Sequence, residues 1–194
     1  MKLGVVLLAA GKSVRFGSNK LLADFGGQPM ICRMMDTAKV LEAERLAAIV
    51  SCDEVAKLAR DRGFEVIQNE APELGQARSV VLGAAFMADM DAVLFLAGDM
   101  PLLTGESLRL LMTRFEASGK GIACLADETH RGNPAVFSRS YFPALLSLEG
   151  DRGAKRILRE NEADLLVVPC LYANELADAD TPEMLERIQI KRTR

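Results

Sequence analysis

The chain has 194 residues, of which 49% are hydrophobic and 26% charged, with a formal net charge of −3. That length suits one domain over residues 1–194 with a sizeable core, and no apolar run approaches the ~20 residues that cross a bilayer. The acidic balance argues against a nucleic-acid partner, which calls for a basic excess, but leaves room for a small anionic ligand held by local cations.

Leu3 to Leu8 is an apolar, partly β-branched run and reads as a buried first strand. Met1-Lys2 ahead of it imitates a short signal peptide, an option set aside because cleavage there would remove that strand. Between Gly11 and Lys20 the chain carries Lys12, Arg15 and Lys20 with no acid among them. Glycine lets backbone N–H groups approach a ligand, and cations beside it suit a polyphosphate. The loop is no P-loop, because Val6 stands where the first glycine would be needed, and G-x-G-x-x-G is absent.

Gly26-Gly27 lies in a short connector ending at Pro29, which is expected in the first turn of a helix. Met30, Ile31, Met34, Met35, Ala38 and Leu41 then recur at helical spacing as a core-facing stripe. Leu46 to Ser51 reads as a second strand, Asp53 as the cap of a helix to about Arg62, and Phe64 to Ile67 as a third strand. This βαβαβ order implies an α/β fold with a parallel sheet and right-handed crossovers.

After the polar stretch 69–75, Ala77, Val80, Val81, Ala84, Ala85 and Ala88 mark one face of a helix. Its start offers N–H groups and the Ser79 hydroxyl at the positive end of the helix dipole, although a serine there also serves to satisfy its own backbone. Ala92 to Ala97 reads as a central strand ending in Gly98-Asp99-Met100-Pro101. An acid so placed suits a hard divalent cation such as Mg²⁺, and Thr104 is the better candidate to cap the following helix of Leu108, Leu111, Met112 and Phe115.

Gly121 to Ala126 is expected as a strand and 127–132 as a polar loop holding the single histidine, His130, which receives no catalytic role. Ala154, Ile157 and Leu158 would face the core and leave Lys155, Arg156 and Arg159 outward. Ala163 to Val168 makes a last strand, and Thr181 with Pro182 opens a final helix. In an extended segment Asp178 and Asp180 point the same way and could face a common ion, while Asp178 equally suits the helix dipole. Cys32, Cys52, Cys124 and Cys170 lack C-x-x-C spacing, so free, mostly buried thiols in a reducing cytoplasm are expected, and no structural zinc site.

The segment Leu8-Ala9-Ala10-Gly11, with Arg15, Gly17 and Lys20, resembles the signature L-A-A-G-x-x-x-R-x-G-x-x-K of nucleotidyltransferases with a nucleotide-diphosphosugar-transferase-like fold. Within them the chain is most similar to the molybdenum cofactor nucleotidyltransferases, in their cytidylyltransferase branch. Gly75 and Ser79, Gly98-Asp99, Asn133 to Phe137, Gly150 to Gly153 and Asp178 to Pro182 extend the resemblance. Met100 replaces a more usual glutamine, and Asn133 stands where a histidine is common.

The resemblance implies a Rossmann-like, three-layer α/β/α fold with a mostly parallel central sheet, and a cytoplasmic, Mg²⁺-dependent nucleotidyltransferase. It implies that Leu8, Ala9, Ala10, Gly11, Arg15, Lys20, Gly75, Ser79 and Asp99 bind the nucleotide, with Arg15 on the departing phosphates and Lys20 near the α-phosphate. Asp99 and Asp180 would hold Mg²⁺, and Asn133, Asp151, Arg152 and Lys155 would face the acceptor. The expected partners are a nucleoside triphosphate and a phosphorylated small-molecule acceptor of molybdopterin type, together with transient contact to a molybdoenzyme or its chaperone. CTP is favoured over GTP, because guanine-using relatives tend to read L-A-G-G where this chain has Ala10. Guanylyl transfer, or transfer to a sugar or polyol phosphate, is the alternative.

Overall fold

The protein is described by a computed structural model that covers residues 1–11, 16, 17, 19–128, 130–150 and 153–192. The first strand is β1 (Leu3–Ala9), followed by α1 (Met30–Lys39), β2 (Arg45–Val50), α2 (Asp53–Asp61) and β3 (Glu65–Gln68). Then come α3 (Gln76–Phe86), β4 (Ala92–Ala97), α4 (Gly105–Ser118), β5 (Ile122–Ala126) and β6 (Arg131–Ser138). The last elements are α5 (Phe142–Leu146), α6 (Lys155–Glu160), β7 (Leu165–Pro169) and α7 (Pro182–Arg192).

The seven strands form one sheet in the order β3-β2-β1-β4-β6-β5-β7. Neighbours pair in parallel except at β6, which runs antiparallel to both β4 and β5. Strand alternation builds two separate cores. Leu3, Val5, Leu7 and Ala9 of β1 and Ala92, Leu94 and Leu96 of β4 pack toward α1, α2, α4 and α7. Val6, Val93 and Phe95 point the other way, toward α3, α5 and α6. Period-two alternation in a sheet covered on both faces thus gives the expected three layers.

The methionine stripe of α1 is wholly core: Met30, Ile31, Met34, Met35 and Ala38 are fully buried. Several local expectations change. Pro29 precedes α1 instead of sitting in its first turn, and Asp53 is the first residue of α2 after the cap Cys52. Phe64 is buried just ahead of β3. On α3, Ala85 is exposed and Gly83 takes an inward place; the helix ends at Phe86, after which Met87 is buried and Ala88, expected on the helix, is exposed in the following turn. Alanine is too small to mark a face, so packing, not composition, sets the helix rotation.

The four cysteines are free, Cys32 and Cys124 buried and Cys52 and Cys170 half-buried. Among the described residues no helix is long and apolar enough to cross a membrane.

Candidate active site

A cleft of about 490 Å³ opens at the carboxyl ends of β1 and β4. Central strand ends are where open α/β sheets leave room for a ligand. Leu8, Ala10 and Gly11 form its floor with Ala97, Gly98 and Asp99. Ala9, between them, turns its methyl into the core beside α1. Gly98 is required by close approach: a Cβ there would stand 2.8 Å from Ile31 Cδ1 and 3.2 Å from the Leu8 carbonyl oxygen.

One wall is charged. Lys20 sits on a short 3-10 turn, Lys20–Leu22, whose Leu21 is buried. Asn19 fixes that turn: its side-chain oxygen accepts from Leu21 N–H at 3.2 Å, and its amide nitrogen donates to Cys52 Sγ at 3.1 Å. The Lys20 ammonium then lies 2.5 Å from Asp99 Oδ2 and 2.8 Å from Asp180 Oδ1. Burial opposes its charge, but Asp99 and Asp180 outweigh that and hold the Lys20 pKa above its ordinary value.

Residues 99 and 180 meet through the backbone. Ala179 N–H donates to the Asp99 carbonyl at 3.0 Å, which sets Asp178 and Asp180 on either side of a buried alanine. The segment is anchored further back by Glu175, only 1% exposed. Its carboxylate accepts from Thr104 N–H (2.9 Å), the Thr104 hydroxyl, the Ser107 hydroxyl (2.5 Å) and Tyr172 N–H (3.1 Å). Thr104 also caps α4 as expected, accepting from Ser107 N–H. Thr181 Oγ1 accepts from Met184 N–H, so it caps α7 with Pro182 as the first helical residue.

Asp178, read equally well from sequence as a helix-dipole residue, belongs electrostatically to this group. Burial, then the neighbouring charges of Asp99 and Asp180, pushes its pKa up to about 6. Among the described residues no set of three or more His, Cys, Asp or Glu side chains is placed to hold a metal ion. Two carboxylates that leave the remaining positions to ligand oxygens are, however, a donor set that a hard cation such as Mg²⁺ accepts.

The facing wall carries one charged side chain, Glu73, and is otherwise uncharged. It comprises Pro72, Glu73 and Gly75, then Gln76 and Ser79 at the start of α3. Gly75 has φ +93° and ψ 176°, a conformation close to glycine-only, and turns the chain into the helix. Not all of the helix start is open, since Ala77 N–H donates to the Gly150 carbonyl at 3.1 Å. Ser79 does not satisfy its own backbone. Its oxygen accepts from the Asn69 amide at 3.1 Å, a partner that lies outside the motif.

The remaining expected site residues are scattered. Asn133 Oδ1 accepts from Ala97 N–H at 3.1 Å, extending the β4–β6 ladder with a side chain, and borders a small recess beside the cleft with Lys155 and Gln76. Met100 is buried in the core on the α1 side, where a glutamine would bury a polar amide. His130 is exposed and bonded to Asp127 through its backbone N–H at 2.7 Å. Arg15, Asp151 and Arg152 lie outside the described residues.

Residues 5–165 match the MobA-like NTP transferase domain. The chain belongs to that family. Over 125 residues it is 35% identical to a probable molybdenum cofactor guanylyltransferase of Pyrococcus horikoshii, covering 64% of this chain and 62% of that one. Over 173 residues it is 28% identical to the bifunctional protein GlmU of Neisseria meningitidis, covering 86% of this chain but 37% of that protein. The chain thus spans under two thirds of the length of both relatives. The family fold is also that of a nucleotidyl transferase from Methanothermobacter thermautotroptrophicus, with a TM-score of 0.85 over 100% of this chain and 99% of that one, at 20% identity.

Proposed function

We propose that this chain transfers a nucleoside monophosphate from CTP to a phosphate of a molybdopterin-type acceptor, with release of pyrophosphate. The observation that carries this is the pairing of Lys20 with Asp99 and Asp180 in a cleft at the carboxyl ends of β1 and β4. An acceptor phosphate oxygen attacks the α-phosphorus in line, the bond to the bridging oxygen breaks, and pyrophosphate leaves with that electron pair. The attacking phosphate is already anionic, so no general base is needed. The site must align the reactants and meet the charge that develops.

In this scheme Asp99 and Asp180 would hold a Mg²⁺ ion, and that ion would supply charge neutralisation. The Lys20 ammonium, bonded to both carboxylates, would act on the α-phosphate. Arg15 takes the β- and γ-phosphates, as the family signature implies. Gly75 and Ser79 would contact the base and ribose, and the family resemblance gives Asn133, Asp151, Arg152 and Lys155 to the acceptor.

Ala10 supports CTP as donor. The 35% identity to a probable guanylyltransferase supports GTP as the second reading. Turnover of CTP and GTP with molybdopterin-type, sugar-phosphate and polyol-phosphate acceptors, followed by pyrophosphate release, tests both. CTP-dependent release with the molybdopterin-type acceptor is expected, and a clear preference for GTP would replace the donor while leaving the reaction class intact.

A further inference from the structure

Asn69 follows β3 and is 2% exposed, yet it belongs to no motif described above. Its backbone N–H donates to the Val50 carbonyl at 2.7 Å. Its side-chain oxygen accepts two bonds, from Ala71 N–H and from Arg78 Nε, both at 3.1 Å. Two obligate donors on one side of the amide settle which atom is oxygen and which is nitrogen. The amide nitrogen therefore faces Ser79 Oγ, and at 3.1 Å it can only donate.

This settles the polarity of the Ser79 hydroxyl. With an N–H bonded to its oxygen, the hydroxyl acts as acceptor toward Asn69, and its own proton must go elsewhere. A helical serine usually returns that proton to a carbonyl one turn back. Among the described residues the Ser79 hydroxyl donates to none. It borders the cleft on the α3 side of the sheet, whereas Lys20 rises from the turn packed on the α1 side.

We propose that Asn69 is a positioning residue that, acting through Ser79, presents a hydrogen-bond donor to an acceptor atom on the nucleoside half of the donor substrate and not to its phosphates. The inference rests on the nucleotide-binding role proposed above. It adds a residue that touches no ligand and a direction for the hydrogen bond. Ala71 and Arg78, held by the same amide oxygen, tie the 70–75 loop to the arrangement.

Asn69→Asp is the discriminating variant. It is nearly isosteric and keeps acceptors for Ala71 N–H and Arg78, but it puts an acceptor where the donor stood. The Ser79 proton would then turn inward to the carboxylate and be lost to the ligand. Calorimetric titration with CTP, GTP and tripolyphosphate, each with Mg²⁺, reads the effect, with thermal melting as the control for folding.

N69D and S79A are each expected to weaken the preferred nucleoside triphosphate about 10-fold, the order of one hydrogen bond. Tripolyphosphate affinity should stay within about twofold, and N69D/S79A should be no weaker than S79A alone, since residues acting in series are not additive. Equal losses for nucleotide and tripolyphosphate, additive losses in the double variant, or wild-type affinity in N69D would overturn the inference while leaving the proposed function standing. Failure of the wild-type protein to bind either nucleotide would overturn both.

Discussion

The two walls of the cleft differ in how they are assembled, one around an ion cluster and the other around a hydrogen-bonded turn that carries the single carboxylate Glu73. On one, an ammonium and two carboxylates come within 2.8 Å, drawn from segments 160 residues apart. On the other, a backbone turn, a hydroxyl and a buried amide fall within the single stretch 69–79. A charged cluster interacts strongly with charge that develops in a reaction, whereas a hydrogen-bonded wall discriminates shape and donor pattern. On the proposed function, the first wall would govern rate and the second selectivity.

Damage to the charged wall should have the largest effect. Lys20→Ala is expected to lower kcat by roughly 10²–10³ with little change in KM, as for loss of one preorganised electrostatic contact. Asp99→Asn and Asp180→Asn should each abolish Mg²⁺-dependent turnover, and the double variant should be little worse than either single one. Steady-state kinetics across a Mg²⁺ titration, with circular dichroism as the folding control, decides this. A raised KM at unchanged kcat in K20A would move Lys20 to ground-state binding.

Glu175 tests whether the charged wall depends on a remote anchor. Glu175→Ala leaves Thr104 N–H, Tyr172 N–H and two hydroxyls short of a buried acceptor, a loss of about 3 kcal/mol by denaturant unfolding. Its turnover should fall toward that of D180N even below the unfolding transition, because the tether that brings residue 180 to residue 99 is loosened. Full activity in folded E175A would show that the Ala179–Asp99 backbone bond suffices.

The α3-side wall should respond differently. Gly75→Ala forces a side chain into a backbone conformation that costs about 1–3 kcal/mol. The expected signature is a raised KM for nucleotide with kcat changed less than twofold in the folded fraction. A kcat loss comparable to that of K20A would erase the division between the walls. The smallest effect belongs to His130→Ala, where stability within about 0.5 kcal/mol and kcat within twofold are expected for an exposed side chain.

Much of this molecule follows from sequence by itself. The buried strands β1 and β4, the stripe of α1, and the caps at Thr104 and Thr181 are local features, because each depends on residues within a turn or two of its neighbours. The signature from Leu8 to Lys20 and the strand-end acid at Asp99 likewise mark where chemistry is expected. Tertiary structure alone decided the rest. The antiparallel insertion of β6, the rotation of α3 that exposes Ala85, and the tether from Glu175 depend on partners tens of residues away. So does the environment of Asp178, while the polarity that Asn69 imposes on Ser79 spans only ten residues but requires the turn between β3 and α3 to fold back on itself. A run of alanines does not encode which face is buried, and an asparagine after a strand does not encode which of its two amide atoms meets a serine. Those outcomes follow from the requirement that every buried polar group find a partner once the layers close.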